Sequence, residues 1–103
     1  MIKEAVSEIQ AVLDAYQRLA PIMIHTPVAP SNILGAEKAG EIYLKLENLQ
    51  RTGSFKARGA YNKLATLTEE EKKRGVIACS AGNHAQGVAL AGALLGIRVR
   101  IFM

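Results

Sequence analysis

An α/β fold is predicted from three observations along the chain. Val76 to Cys79 is a short apolar strand, Ile97 to Met103 begins another strand, and an alanine- and leucine-rich helical stretch separates them. Strand, helix and strand with short connections form a βαβ unit, whose strands pair in parallel through a right-handed crossover. Upstream, Ile42, Leu44 and Leu46 alternate with Tyr43, Lys45 and Glu47, the two-residue period of a strand with one buried face.

The elements follow in order. From Lys3 to Ala20, apolar residues recur at Val6, Ile9, Leu13, Tyr16 and Leu19 or Ala20. That spacing predicts an amphipathic helix whose stripe faces a core or a neighbouring subunit. Pro21 ends it, and Ile22 to Pro30, which holds Pro27 and Pro30, is expected to be extended. Ser31 is placed to N-cap a short helix running towards Gly40, with Gly35 a weak point inside it. Asn48 to Ser54 reads as a polar loop. Phe55 to Leu67 returns to helical spacing through Ala57, Ala60, Tyr61, Leu64 and Leu67, which puts Lys56 in a first turn.

Thr68 and Glu71 form a capping-box pattern for the next short helix, which Gly75 closes. After the strand Val76 to Cys79, Asn83 or Ser80 caps a helix that is apolar nearly all round, and burial on more than one side is expected. Gln86 and Gly87 would let that helix pack closely on a strand. Gly96 stops it.

Composition narrows the class. The chain has 103 residues, half of them hydrophobic, which excludes a disordered chain and fits one small domain or part of a larger one. No apolar run reaches the roughly 18 residues of a membrane span, and no signal segment follows Met1. A membrane role is not expected. The single cysteine, Cys79, excludes an internal disulfide framework and fits a reducing compartment, so a cytoplasmic location is expected. Flanked by apolar strand residues, Cys79 reads as an inert core thiol.

The net charge is +4, but Glu69, Glu70 and Glu71 run directly into Lys72, Lys73 and Arg74. That is a solvated helix with i,i+4 pairing, so no nucleic-acid partner is expected. His25 has no second ligand at a suitable spacing, and no metal is expected. Arg51 and Lys45 read as solvated charges. A parallel pair with one crossover leaves edges and faces uncovered. The chain is therefore expected to be a single incomplete domain of a larger α/β protein: 1–40 a helical and extended segment, 41–103 the start of a ligand-binding α/β region.

Two segments could carry chemistry. In Thr52-Gly53-Ser54-Phe55-Lys56-Ala57-Arg58-Gly59-Ala60, one lysine stands among small residues beside an aromatic wall. A lysine shielded from water loses its proton more readily, and the free amine attacks carbonyls to form a Schiff base. In Ser80-Ala81-Gly82-Asn83-His84, a strand end leads into a helix. Unpaired N–H groups of a first helical turn can receive a carboxylate or phosphate, with Gly82 admitting the ligand to the main chain and the Ser80 hydroxyl adding a donor. A capped helix with nothing bound is the equally weighted reading. Asn83 serves as an N-cap or donates its amide to a ligand. His84 is more readily a packed or hydrogen-bonded residue than an acid or base.

Together, Ser54-Phe55-Lys56-Ala57-Arg58-Gly59-Ala60 and Ser80-Ala81-Gly82-Asn83-His84-Ala85-Gln86-Gly87 resemble the fold-type II pyridoxal-phosphate enzymes, whose fold is like that of tryptophan synthase β. Within them the chain is most similar to threonine dehydratase (threonine ammonia-lyase), and Lys45-Leu46-Glu47-Asn48-Leu49-Gln50-Arg51-Thr52-Gly53 extends the resemblance. The resemblance implies that Lys56 carries pyridoxal 5'-phosphate as a Schiff base and then acts as base on the substrate's α-carbon. It implies that Phe55 lies against the cofactor ring and that Asn83 binds its 3-hydroxyl oxygen. Ser80, Ala81, Gly82 and His84 would grip the carboxylate of an amino-acid substrate.

The implied reaction is β-elimination of L-threonine or L-serine to a 2-oxo acid and ammonia, by a homo-oligomer when full length. The family's glycine-rich phosphate loop and the partner of the pyridine nitrogen lie further downstream, so the 103-residue chain is expected to be inactive alone. Two alternatives stand beside this. One is a serine racemase or β-replacement enzyme, against which Ala81 argues, because serine racemases place a proton-handling serine there. The other is a non-catalytic module that binds a small anion at the Ser80–His84 turn.

Overall fold

The computed structural model of the chain describes residues 1–36 and 40–103. Helix α1 spans Ile2–Leu19, with Glu4 in its first turn and Arg18 in its last, each opposite in sign to the end of the helix dipole it sits at. Its stripe does not face a core among the described residues: Val6, Ile9, Leu13 and Tyr16 are exposed, and only Leu19 is buried. Leu19 and Met23 pack on Ala57, with Ile22, Tyr61 and Leu90 partly buried around them. Nor does Pro21 start an extended segment at once. Ala20 keeps helical angles and Met23 N–H donates to the Leu19 carbonyl at 2.8 Å, so the chain turns before it extends.

Strand β1 (Val28–Pro30) pairs antiparallel with β2 (Tyr43–Lys45), with Ala29 opposite Leu44. Between them lies α2 (Asn32–Ala36), where Ser31 Oγ accepts from Leu34 N–H at 3.2 Å, the cap that the sequence predicts. The expected continuation towards Gly40 falls on 37–39, outside the described residues. The face expected to be buried is only partly so: Leu44 in β2 is exposed, while Ile42 and Leu46 on either side of the strand are partly buried.

Helix α3 is Lys56–Ala65 and α4 is Glu69–Arg74, the latter with both halves of the Thr68/Glu71 capping box and Gly75 beyond it at φ 83°. Strand β3 (Val76–Cys79), α5 (Asn83–Leu95) and β4 (Val99–Phe102) make the βαβ unit, with β3 and β4 parallel and Val76 opposite Val99. Gly96, left-handed at φ 67°, ends α5.

The core joins α3, α5 and the sheet: Ala60, Leu64, Val88, Ala91 and Ile97 are buried there, with Val76, Ala78 and Val99 packed against them. Helix α5 is thus covered on two sides, while Leu94 stays exposed.

Two expectations are corrected here. Cys79 is exposed, because it shares with Ile77 and Phe102 the sheet face turned away from α5. Gly87 packs α5 against helix α3 rather than against a strand. The glycine that seats α5 on the sheet is Gly92, where a Cβ would stand 2.9 Å from the Ile97 carbonyl oxygen and collide with Val99 Cγ2. No helix among the described residues is long and apolar enough to cross a membrane.

Candidate active site

The approach to Lys56 is a braced loop. Two short 3₁₀ turns, Glu47–Leu49 and Arg51–Gly53, replace the plain loop expected from sequence. Gln50 sits buried between them with its amide fully used. Its Oε1 accepts from the N–H groups of Ile24 and Arg51, both at 3.0 Å, and its Nε2 donates to the Ile24 carbonyl at 2.9 Å.

Glu47 accepts from the Arg58 guanidinium and from the Thr26 hydroxyl at 2.7 Å. The Arg58 bond, resisted by burial and helped by Thr26, holds the Glu47 carboxyl down at about 2. The same pairing raises Arg58 above its usual range. Lys45, expected to be a solvated charge, donates to the Thr26 carbonyl. Burial of polar groups is tolerable only with such partners.

Beyond this brace, Ser54 is buried and extended, and its Oγ accepts from Lys56 N–H at 3.4 Å. Phe55 precedes the first helical residue and Lys56 opens α3. The Lys56 Nζ rests 5.2 Å from the centre of the Phe55 ring, within cation–π range. The shielding anticipated for the amine is absent among the described residues: Lys56 is exposed and Phe55 is 61% exposed. The amine has no ion-pair partner among the described residues.

The second segment begins where β3 runs out. Ser80 N–H still donates to the Phe102 carbonyl at 3.0 Å, continuing the ladder. Ser80 Oγ then accepts from Gly82 N–H at 3.2 Å and Ala85 N–H at 3.3 Å. Of the two capping candidates, Ser80 therefore closes the turn, and Asn83 stands inside the helix as its first residue. With Gly82 and Ala85 satisfied, the N–H groups of Asn83 and His84 are those the turn offers outward. Ala81, Gly82, Asn83 and His84 are all exposed, and a Cβ on Gly82 would meet nothing within 4 Å. His84 also lines a shallow groove of about 270 Å³ with Gly59, Ala60 and Lys63.

The two segments meet through the helices that they open. Gly87, one turn beyond Asn83, lies against the backbone of Lys56 and Ala57. Glu47, Gln50, Thr26 and Arg58 were not singled out from sequence. Glu47, Gln50 and Arg58 lie inside the quoted motifs, and Glu47 and Arg58 form an opposite-charge pair flanking one loop. Thr26 carried no signal.

Comparison with known proteins identifies the family. Residues 19–103 match the family described as "Pyridoxal-phosphate dependent enzyme". The L-threonine ammonia-lyase of Thermotoga maritima is 56% identical over 95 residues, which are 92% of this chain and 24% of that protein. The catabolic L-threonine dehydratase of Escherichia coli K12 is 55% identical over 95 residues, 92% of this chain and 29% of that protein. In three dimensions, maize serine racemase superposes with a TM-score of 0.81 at 40% identity, over 90% of this chain and 29% of that one. The chain thus spans about a quarter of the length of the curated relatives it matches. Since the match runs from Leu19 through both helix starts to Met103, the chain belongs to the pyridoxal-phosphate dependent enzyme family.

Proposed function

We propose that the whole protein eliminates the β-hydroxyl and amino groups of L-threonine or L-serine, giving a 2-oxo acid and ammonia, with 41–103 opening its cofactor-binding region. One observation carries this reading: a lysine amine without an ion-pair partner among the described residues lies over an open aromatic face, on the helix that packs against the helix opened by the Ser80–His84 turn. Relatives named threonine ammonia-lyase and threonine dehydratase support the choice of reaction.

The residues present fit pyridoxal phosphate. Lys56 would hold it covalently through Nζ, Phe55 would offer an apolar face to a flat ring, and the Asn83 amide would bind a ring oxygen. When bound, the group supplies the electron sink for the α-carbon. The chain's own residues would do the rest. The Lys56 amine takes the α-proton, a general-base role typically contributing about 10²–10⁴-fold. The N–H groups of Asn83 and His84, with the positive end of the α5 dipole, hold the substrate carboxylate. The proton that Ser80 Oγ still carries is available as a further donor. Ala81 has no group that could hold a proton, which favours elimination over racemisation.

Incubation with pyridoxal phosphate, borohydride reduction and peptide mapping test this. The expected adduct sits on Lys56 and is lost in Lys56→Ala. A 2-oxo acid released from L-threonine or L-serine by the whole protein then tests the reaction. Carboxylate binding without any Lys56 adduct would favour a non-catalytic anion-binding module instead.

A further inference from the structure

Thr52 is the one non-glycine residue with a positive φ among the described residues, at φ 66° and ψ 4°. Side chains branched at Cβ are especially disfavoured there. The same residue carries the one shielded side-chain polar atom without a hydrogen-bond partner among the described residues, its Oγ1. Two independent departures from what stability favours therefore fall on a single position, four residues before Lys56. Glycine would remove both, and the neighbouring Gly53 already adopts φ 73°.

The turn is held at both ends. Gly53 N–H donates to the Gln50 carbonyl at 2.8 Å, and Gln50 is itself pinned to Ile24. On the far side Ser54 is buried and bonded to the first helical N–H. Thr52 and Gly53 reverse the chain between these fixed points, so the exit from that reversal sets how Phe55 and Lys56 enter α3. A glycine at 52 could sample both signs of φ. A threonine forced into the left-handed basin has one narrow well and a stiff χ1. Strain that its surroundings hold and its own contacts do not relieve is concentrated at functional sites.

We propose that Thr52 is a positioning residue, whose left-handed, branched backbone unit holds the Lys56 amine over the Phe55 ring. The inference rests on the proposed function only in giving that amine a task.

Ring-current displacement of the Lys56 ε-methylene protons by Phe55, read by NMR without cofactor, tests it. The chain should show the displacement. Thr52→Gly should keep or raise the thermal midpoint yet lose the displacement, whereas Thr52→Val, which keeps the branch and drops the unpaired hydroxyl, should retain it. A folded Thr52→Gly chain with the unaltered displacement overturns the proposal, as does a folded Thr52→Val chain that loses it or an unsubstituted chain that lacks it. Failure of Lys56 in the whole protein to take up pyridoxal phosphate while these shifts behave as expected would sink the proposed function and leave the positioning role standing.

Discussion

Gly87 and Lys56 meet backbone to backbone: a Cβ built on Gly87 would stand 3.0 Å from both the carbonyl carbon and the carbonyl oxygen of Lys56, and 3.1 Å from the Ala57 nitrogen. None of these atoms belongs to a side chain that could swing aside. The absence of a side chain on one helix thus sets how near the first turn of α5 comes to the residue that opens α3.

Replacing Gly87 by alanine should force the helices apart, destabilising the chain by about 1–3 kcal/mol, the usual cost of overpacking. It should also slow borohydride-trapped attachment of pyridoxal phosphate to Lys56. Gly59 provides the contrast, since a Cβ there meets nothing within 4 Å. Gly59→Ala should stabilise α3 by about 0.5–1 kcal/mol, as expected for an exposed helix interior. Urea denaturation of the two variants checks the opposite signs, and equal stability changes would discount the close approach.

Glu47 makes the brace pH-dependent. Its carboxyl is lowered from 4.5 to about 2, first by the Arg58 hydrogen bond and further by Thr26, against the opposing effect of burial. A folded-state value below the unfolded one means stability that is fully present above 4.5 and is lost as pH falls towards 2. Glu47→Gln should flatten that part of the stability curve. It should also cost about 1.5–3 kcal/mol at neutral pH, the scale of a hydrogen bond to a charged group. Thermal denaturation across this acid range is the measurement, and parallel curves for the two proteins would rule out Glu47 as the titrating group.

Much of this was legible from the residues. Capping chemistry marked α4, since Thr68 and Glu71 satisfy each other's backbone locally and need no tertiary context. The strand β3 and the stops at Gly75 and Gly96 were equally local. Long-range contacts were not. The exposure of Cys79 depends on which sheet face α5 covers, and an apolar strand of four residues does not reveal that. Gly87 and Gly92 look alike in sequence, yet one receives a helix backbone and the other a valine side chain. The Glu47–Arg58 pair joins a 3₁₀ turn to the first turn of α3 across a separation of eleven positions, and no periodicity records such a closure. At the site, the residue types around Lys56 were readable, but the strain at Thr52 exists only in three dimensions.

Thr68 is the N-cap of α4, and Ser80, two residues before the α5 N-cap Gly82, accepts from the Gly82 and Ala85 N–H groups, so their alanine variants separate backbone bracing from ligand binding. Each should lose about 1 kcal/mol of stability. Only Ser80→Ala also disturbs the turn that presents the Asn83 and His84 N–H groups, since Ser80 Oγ holds Gly82 and Ala85 in place. Substrate carboxylate affinity, measured by calorimetry on the whole protein, should fall for Ser80→Ala and stay unchanged for Thr68→Ala. Equal affinities would reduce Ser80 to a structural brace.

Cys79 offers a direct reading of which way β3 faces. Side chains alternate along the strand, so Val76 and Ala78 turn to the α3–α5 core while Ile77 and Cys79 turn away from it. An exposed thiol reacts at a rate set by its thiolate fraction and access, so labelling of the folded chain should run within about tenfold of the rate in urea. A bulky label on that face lies across the sheet from the core that carries Lys56. Trapping of pyridoxal phosphate on Lys56 should therefore be the same before and after labelling. If the thiol resists the reagent until the chain unfolds, the face bearing Ile77 and Phe102 is covered and the assigned orientation of β3 is wrong.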